Sequence, residues 1–196
     1  FTISSLSSQL LEGKQLYWGS IPFHHGILWI LLFHLIALLT PKALLLWNAV
    51  PIRLYLLEIS GFILGLWALG GVVLLFWRRM TVAYIKAVTT PMDIVVLLLT
   101  LVSILTGVLT AALYRFGSVW FTGVFTPYLW SILTLQPRPE LVAPLPWLVQ
   151  LHLFNNFALL ALLPFSRLVH ILSWPLDYLV RPWQIVIGMV SRKATK

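Results

Sequence analysis

The sequence predicts an all-α integral membrane protein with four transmembrane helices in this stretch, and three observations carry that reading. Of 196 residues, 60% are hydrophobic and only 9% charged, whereas a soluble domain carries about 25% charged residues. Mean hydropathy is +0.96, so the chain lacks the polar surface needed to face water, and lipid becomes its solvent. Four runs reach the roughly 20 apolar residues that a helix needs to cross hydrocarbon. Strands of a β-barrel would alternate apolar and polar residues over about ten positions; these runs are longer and uniformly apolar.

The first span covers about 21–39 and stops at Thr40-Pro41, because a proline pushes the residue before it out of the helical region. The second covers about 54–77 and ends at Arg78-Arg79. The third, about 92–114, starts behind Thr89-Thr90-Pro91, and the fourth, about 147–172, follows Pro144 and Pro146. Residues 1–196 thus read as one membrane domain with a tail over 173–196. Residues 1–13 hold neither the basic stretch nor the apolar core of a signal peptide. The sequence opens on Phe1 rather than Met, which leaves room for a further span upstream.

Composition also excludes chemistry. With no cysteine there is no disulfide framework, no thiolate zinc site, no cysteine-held iron–sulfur cluster and no covalently attached c-type haem. A net charge of +8 would suggest nucleic acid in a soluble protein; here membrane topology accounts for it. Lys14, Arg78, Arg79, Lys86, Arg167, Arg181, Arg192, Lys193 and Lys196 flank one side, while Lys42, Arg53, Arg115 and Arg138 flank the other. By the positive-inside rule the first group is cytoplasmic, with outer loops at about 40–53 and 115–146. The ten tryptophans and six tyrosines suit the aromatic belts of membrane–water boundaries. The second outer loop carries Trp120, Phe121, Phe125, Tyr128 and Trp130; it is expected to lie on the membrane surface or to lid a site.

All five histidines sit in or at the ends of apolar runs: His24, His25, His34, His152 and His170. Ionisable groups at membrane depth are costly and mark function. The first and fourth spans run antiparallel, which brings His24 level with His170 and His34 level with His152. Two level-matched pairs of imidazoles point to the axial ligands of two haems. A metal-ion transporter would want carboxylates beside them, yet Glu58 and Asp93 are the acids near the spans and neither falls in a pair. In a continuous helix, His152 and His170 share a face, being 18 residues or five turns apart. That separation is about 27 Å, against about 15 Å from His24 to His34, a mismatch that tilt and a distortion at Pro164 absorb only in part. His25, turned about 100° from His24, reads as an interfacial histidine.

Arg167 precedes His170 by three residues and is a candidate partner for a haem propionate, since arginine binds carboxylate in bidentate fashion; a snorkelling anchor is the alternative. Arg79 and Lys86 are weaker candidates of the same kind. Gly61, Gly65, Gly70 and Gly71 in the second span suit close helix packing. Thr100, Ser103, Gly107 and Thr110 form a mildly polar stripe expected to face the bundle interior, and Asn155 and Asn156 are placed to bond across helices.

Ser7-Ser8-Gln9, Phe23-His24-His25-Gly26-Ile27-Leu28, His34 and Leu39-Thr40-Pro41 resemble the second span of the gamma subunit of respiratory nitrate reductase. Leu151-His152-Leu153 and Pro164-Phe165-Ser166-Arg167-Leu168-Val169-His170 resemble its last span, and Gly70-Gly71, Arg78-Arg79, Thr89-Thr90 and Asp93-Ile94 match in order between them. The resemblance implies a cytochrome b with five spans in the full family fold, its haems held between the first and last of the four seen here. It implies two haems b, a proximal one on His24 and His170 and a distal one on His34 and His152. It also implies a quinol (menaquinol or ubiquinol) as substrate, oxidised near the outer side of the inner, cytoplasmic membrane. Electrons would pass through the distal and then the proximal haem to an iron–sulfur beta subunit and a molybdenum-containing alpha subunit on the cytoplasmic side. Nitrate-reducing machinery is not expected in this chain.

The chain departs from the family where a lysine serves the quinol site: Tyr55 falls at that position, with Arg53 two residues earlier. Both are candidates to donate to a quinone oxygen; the bland alternatives are a snorkelling anchor and a belt tyrosine. Three rivals stay open: a gamma-like cytochrome b of a sulfur or heterodisulfide redox complex, a haem-free structural anchor, and a channel or transporter.

Overall fold

The computed structural model describes residues 14–168. Along the chain run α1 (Lys14–Leu39), α2 (Pro41–Asn48), α3 (Pro51–Thr81), α4 (Ala83–Ala87) and α5 (Pro91–Leu113). Then come α6 (Gly117–Trp120), a π turn (Phe121–Phe125), α7 (Thr126–Leu133), a 3₁₀ turn (Pro139–Leu141), α8 (Trp147–Leu162) and a final 3₁₀ turn (Leu163–Phe165). Four stretches are long and apolar enough to cross a bilayer: Leu16–Leu39, Pro51–Thr81, Pro91–Leu113 and Trp147–Phe165. The protein is therefore a multi-pass integral membrane protein, as residence in the inner membrane requires. Large apolar side chains such as Trp29, Leu35, Ile63, Trp77 and Phe154 stand exposed on these helices, where lipid rather than water is their natural neighbour.

Prolines start the helices and polar caps fix them. Pro41, Pro51 and Pro91 each open a helix, where the missing N–H costs nothing. Before α5 the Thr90 hydroxyl accepts from the Asp93 N–H, and the Asp93 carboxylate accepts from the Thr90 N–H, a reciprocal cap. Two boundaries differ from the sequence expectation. Helix α1 begins at Lys14 and runs through Pro22, because a membrane segment keeps its helix even where one backbone bond is lost. The fourth span is not one helix to 172. Pro164 cannot donate to the carbonyl of residue 160, α8 stops at Leu162, and Ser166 is extended at φ −126°, ψ 172°. The five-turn argument that placed His152 and His170 on one helix face does not hold across this break. His170 and the tail 173–196 lie outside the described residues.

The helices pack in chain order, α1 on α3, α3 on α5 and α5 on α8, and all neighbours run antiparallel; α1 and α8 barely touch. At the centre Ala68, Val72 and Ile104 are buried under Phe23, Ile27, Leu69, Leu97, Leu101 and Val108. Glycines set the α1–α3 spacing. A Cβ on Gly26 would lie 2.7 Å from the Leu64 carbonyl oxygen, and one on Gly71 would lie 2.7 Å from that of Gly19. Small residues let membrane helices approach in this way. Of the four glycines expected to pack, Gly65 (against Val108) and Gly71 do so, while Gly61 and Gly70 face open space. Gly19 and Gly26, on the partner helix, complete the contact.

Candidate functional site

The three described histidines of the constellation share one chemical arrangement. His34 Nδ1 lies 2.7 Å from the Ile30 carbonyl oxygen, and His24 Nδ1 lies 2.8 Å from that of Ser20. A carbonyl oxygen only accepts, so each Nδ1 carries its proton and donates. His152 reaches the same state through another helix. The Thr106 hydroxyl gives its single hydrogen to its own helix, with Val102 O at 2.7 Å and Ser103 O at 3.0 Å. Its lone pair is left to accept from His152 Nδ1, at 3.0 Å. With Nδ1 so committed, the neutral ring has its lone pair on Nε2, the form in which imidazole binds iron or zinc.

Helix position sets depth. His34 lies near the C-terminal end of α1 and His152 near the N-terminal end of α8, close enough for the two imidazoles to interact electrostatically. His24 lies ten residues back along α1, toward the opposite end of the bundle. The ring of His152 rests on α5 at Gly107, where an added Cβ would come within 3.1 Å of its Cε1. The ring of His34 meets Phe121 edge to face, centroids 5.2 Å apart. His25 turns away to the Trp67 ring of α3, centroids 6.0 Å apart. Among the described residues no three His, Asp or Glu side chains converge as a metal cluster. A haem does not require one, because it brings its own four nitrogens and takes only axial ligands from protein. The donor set fits that group: neutral imidazoles with Nδ1 committed, on two helices that are not packed together.

The aromatic loop covers the end of the bundle that holds His34 and His152. Thr126 donates to the Ala37 carbonyl (3.0 Å) and Trp130 Nε1 to that of Leu38 (3.1 Å), so α7 is tied to the last turn of α1. The π turn, a local form common at functional sites, carries Phe121 onto His34. Glu58 of α3 holds the start of this lid, accepting from the Ser118 N–H at 2.9 Å and from the Ser118 hydroxyl and Gly117 N–H. Phe116, at φ 61°, occupies the left-handed region that bulky residues avoid. Its ring meets Tyr55, centroids 6.1 Å apart. Arg53 lies over the Trp47 ring at 5.1 Å. Tyr55 and His34 thus touch the same aromatic segment, while Arg53 is drawn toward α2.

Arg167 and Arg79 meet on one carboxylate. Its Nε lies 2.7 Å from Asp93 Oδ1, and Arg79 Nη1 lies 3.1 Å from Asp93 Oδ2. Asp93 therefore joins the end of α3, the start of α5 and the segment after α8. The expected interhelical asparagines are in place: Asn155 donates to the Leu99 carbonyl (2.8 Å), and Ser103 donates to Asn156 (2.7 Å). Thr100 bonds only its own helix, at Val96. Thr106, the residue that touches His152, was not in the expected stripe, although its spacing from Ser103 and Thr110 (three and four residues) would have placed it there.

The model of the nitrate reductase gamma subunit family matches residues 1–189 of the chain. The chain belongs to the nitrate reductase gamma subunit family. Among relatives, the nitrate reductase gamma chain of Bacillus subtilis is 32% identical over 189 residues, covering 94% of this chain and 84% of its own. The respiratory nitrate reductase 2 gamma chain of Escherichia coli K12 is 33% identical over 191 residues, covering 95% and 84%. The nitrate reductase-like protein NarX of Mycobacterium tuberculosis is 35% identical over 198 residues, covering 94% of this chain. This gamma-family chain spans only 29% of the length of NarX.

Proposed function

We propose that this protein is the dihaem cytochrome b subunit of a nitrate-reductase-type complex, oxidising quinol at the aromatic end and delivering electrons to partner subunits at the arginine end. The observation that supports it most is the shared state of His24, His34 and His152, each with Nδ1 donating and Nε2 holding a lone pair. On this reading His34 and His152 hold the distal haem, and His24 with His170 the proximal one. When bound, the two haems supply one-electron carriers stepped across the membrane.

The chain's own residues do the rest. The Ser20, Ile30 and Thr106 oxygens fix each imidazole tautomer, and Gly107 leaves room for the ring of His152. The π turn lays Phe121 against His34 and α7 is tied to the last turn of α1, so that quinol would meet an aromatic boundary there. There a quinol would give up two protons and two electrons, with Arg53 and Tyr55 the candidate donors to its oxygens and Tyr55 the nearer of the two to the aromatic segment that meets His34. The Tyr55 hydroxyl makes no hydrogen bond among the described residues, which leaves it available to a ligand. Arg79, Asp93 and Arg167 organise the opposite, basic face, where the iron–sulfur beta subunit would dock beside the molybdenum-containing alpha subunit that reduces nitrate.

A reduced-minus-oxidised visible spectrum of membranes carrying the full chain tests this reading. Two b-type haems per chain, reducible by quinol, are expected. A chain expressed intact with no haem absorbance would leave a purely structural anchor.

A further inference from the structure

His152 differs from its two companions in where its Nδ1 proton goes. His24 and His34 donate to carbonyls of their own helix one turn back, and His24 Nδ1 also lies 3.0 Å from the Ser20 hydroxyl of that same turn. His152 donates to a side chain of α5, the hydroxyl of Thr106, which is 4% exposed. With that hydroxyl's hydrogen directed to Val102 O or Ser103 O, its lone pair faces Nδ1 and the ring is the donor. At the adjacent position of α5, Gly107 has no side chain where a Cβ would come within 3.1 Å of His152 Cε1. One turn deeper, Ser103 meets Asn156, which itself donates to the His152 carbonyl at 2.7 Å. The imidazole is thus fixed in tautomer, tilt and height by three consecutive features of α5.

We infer that Thr106 is a positioning residue for the outer haem, setting the orientation and electron-donating strength of His152 and with them the reduction potential of that haem. This rests on the dihaem reading above. A hydrogen bond accepted from Nδ1–H makes the ring a stronger donor through Nε2, which favours the oxidised iron. Removing the acceptor therefore makes the outer haem easier to reduce. Because the acceptor is a side chain on a neighbouring helix, its strength is open to change by one substitution; the carbonyl acceptor of His34, its partner at the same level, is not.

The test uses the full chain in membranes, with potentiometric titration of both haems and low-temperature electron paramagnetic resonance. The outer couple is identified as the one that vanishes in His34→Leu. Thr106→Val keeps side-chain volume and removes the acceptor. It is expected to move the reduction equilibrium of the outer haem at least threefold toward the reduced form, about 28 mV at 59 mV per tenfold, with the inner couple unmoved. Thr106→Ser restores the wild-type value, and Gly107→Ala, which crowds the ring, broadens the outer signal. Loss of the outer haem in Thr106→Val with rescue in Thr106→Ser supports the same role. Two haems with unchanged potentials and signals in Thr106→Val overturn it, as does a Thr106→Ser chain that behaves like the valine variant. A wild-type chain without haem removes the dihaem reading itself, a result distinguishable at the first measurement.

Discussion

The two ends of this bundle are built from different interactions. At the aromatic end, the contacts around the histidines are neutral hydrogen bonds and ring packing, with Thr106 on His152, Phe121 on His34, and Thr126 and Trp130 on the carbonyls closing α1, while the Glu58 carboxylate holds the Gly117–Ser118 turn. At the arginine end, two guanidiniums close on Asp93, whose side chain is 7% exposed. Neutral hydrogen bonds between membrane helices are worth about 0.6 kcal/mol on average, so the aromatic end relies on many of them. A carboxylate between two arginines concentrates the same task in one residue. The outer histidines are therefore held by distributed packing, and the segment leading to His170 is tied to α5 through the Arg167–Asp93 ion pair.

The sharpest way to break that comparison is to remove ligands one at a time. His34→Leu and His152→Leu are each expected to leave one haem per chain of two, and His24→Leu to leave the other one, by pyridine haemochrome assay against protein. If His34→Leu and His24→Leu deplete the same spectral component, the division into two ends is wrong.

Next in size is Asp93→Asn, which keeps an oxygen to cap α5 but removes the carboxylate that Arg79 and Arg167 share. Breaking one partner of a buried ion pair costs about 3–5 kcal/mol. Here about 2–3 kcal/mol is expected, because the Arg167 side chain is 31% exposed. A lower thermal midpoint in detergent at fixed scan rate should accompany a disturbed inner haem and an intact outer one. Equal damage to both haems would mean that Asp93 supports the bundle as a whole.

A smaller effect is expected at the quinol site. Loss of one hydrogen bond, about 1 kcal/mol, should slow quinol-driven haem reduction roughly fivefold in Tyr55→Phe and in Arg53→Ala. Reduction by dithionite should stay unchanged. Wild-type quinol rates in both variants would move the site away from the start of α3.

The smallest effect belongs to Arg138–Glu140, a pair 3.1 Å apart with both side chains more than half exposed. The Glu140 carboxyl is held below its ordinary range first by a backbone hydrogen bond and then by Arg138. Any stability this adds is present above the ordinary carboxylate range and fades as pH falls through the lowered value. Since such surface pairs contribute little, Arg138→Ala should leave the thermal midpoint at neutral pH unchanged. A clear drop would show that the loop end depends on charge after all.

Much of the fold was legible because hydrophobic run length is a local property: four spans, their order and their proline starts are written in consecutive residues. The candidate ligands were legible because histidine in an apolar run is rare enough to stand out. Contacts between elements were not. Nothing local to Arg167 says that Asp93, rather than a cofactor carboxylate, is its neighbour, and nothing local to Glu58 says that it holds the Gly117–Ser118 turn. Gly61 and Gly71 look alike in sequence, yet only Gly71 meets α1. The run to 172 read as one helix because composition stays apolar through Pro164, and only backbone geometry shows Ser166 extended.

The sequence by itself determined that this protein crosses a membrane four times over the described residues, and the order in depth of His24, His34 and His152. Lipid offers no hydrogen bonds to the backbone, so an apolar run of that length has helix as its one economical form, and depth follows from counting residues along it. Only the tertiary structure decided which atom each side chain meets. It set α1 and α8 apart at the two ends of the packing order, put Thr106 under His152 and laid Phe121 on His34. Those choices depend on helix rotation and on the close approach permitted by Gly19, Gly26 and Gly71, quantities that arise between elements and that no single stretch of chain contains.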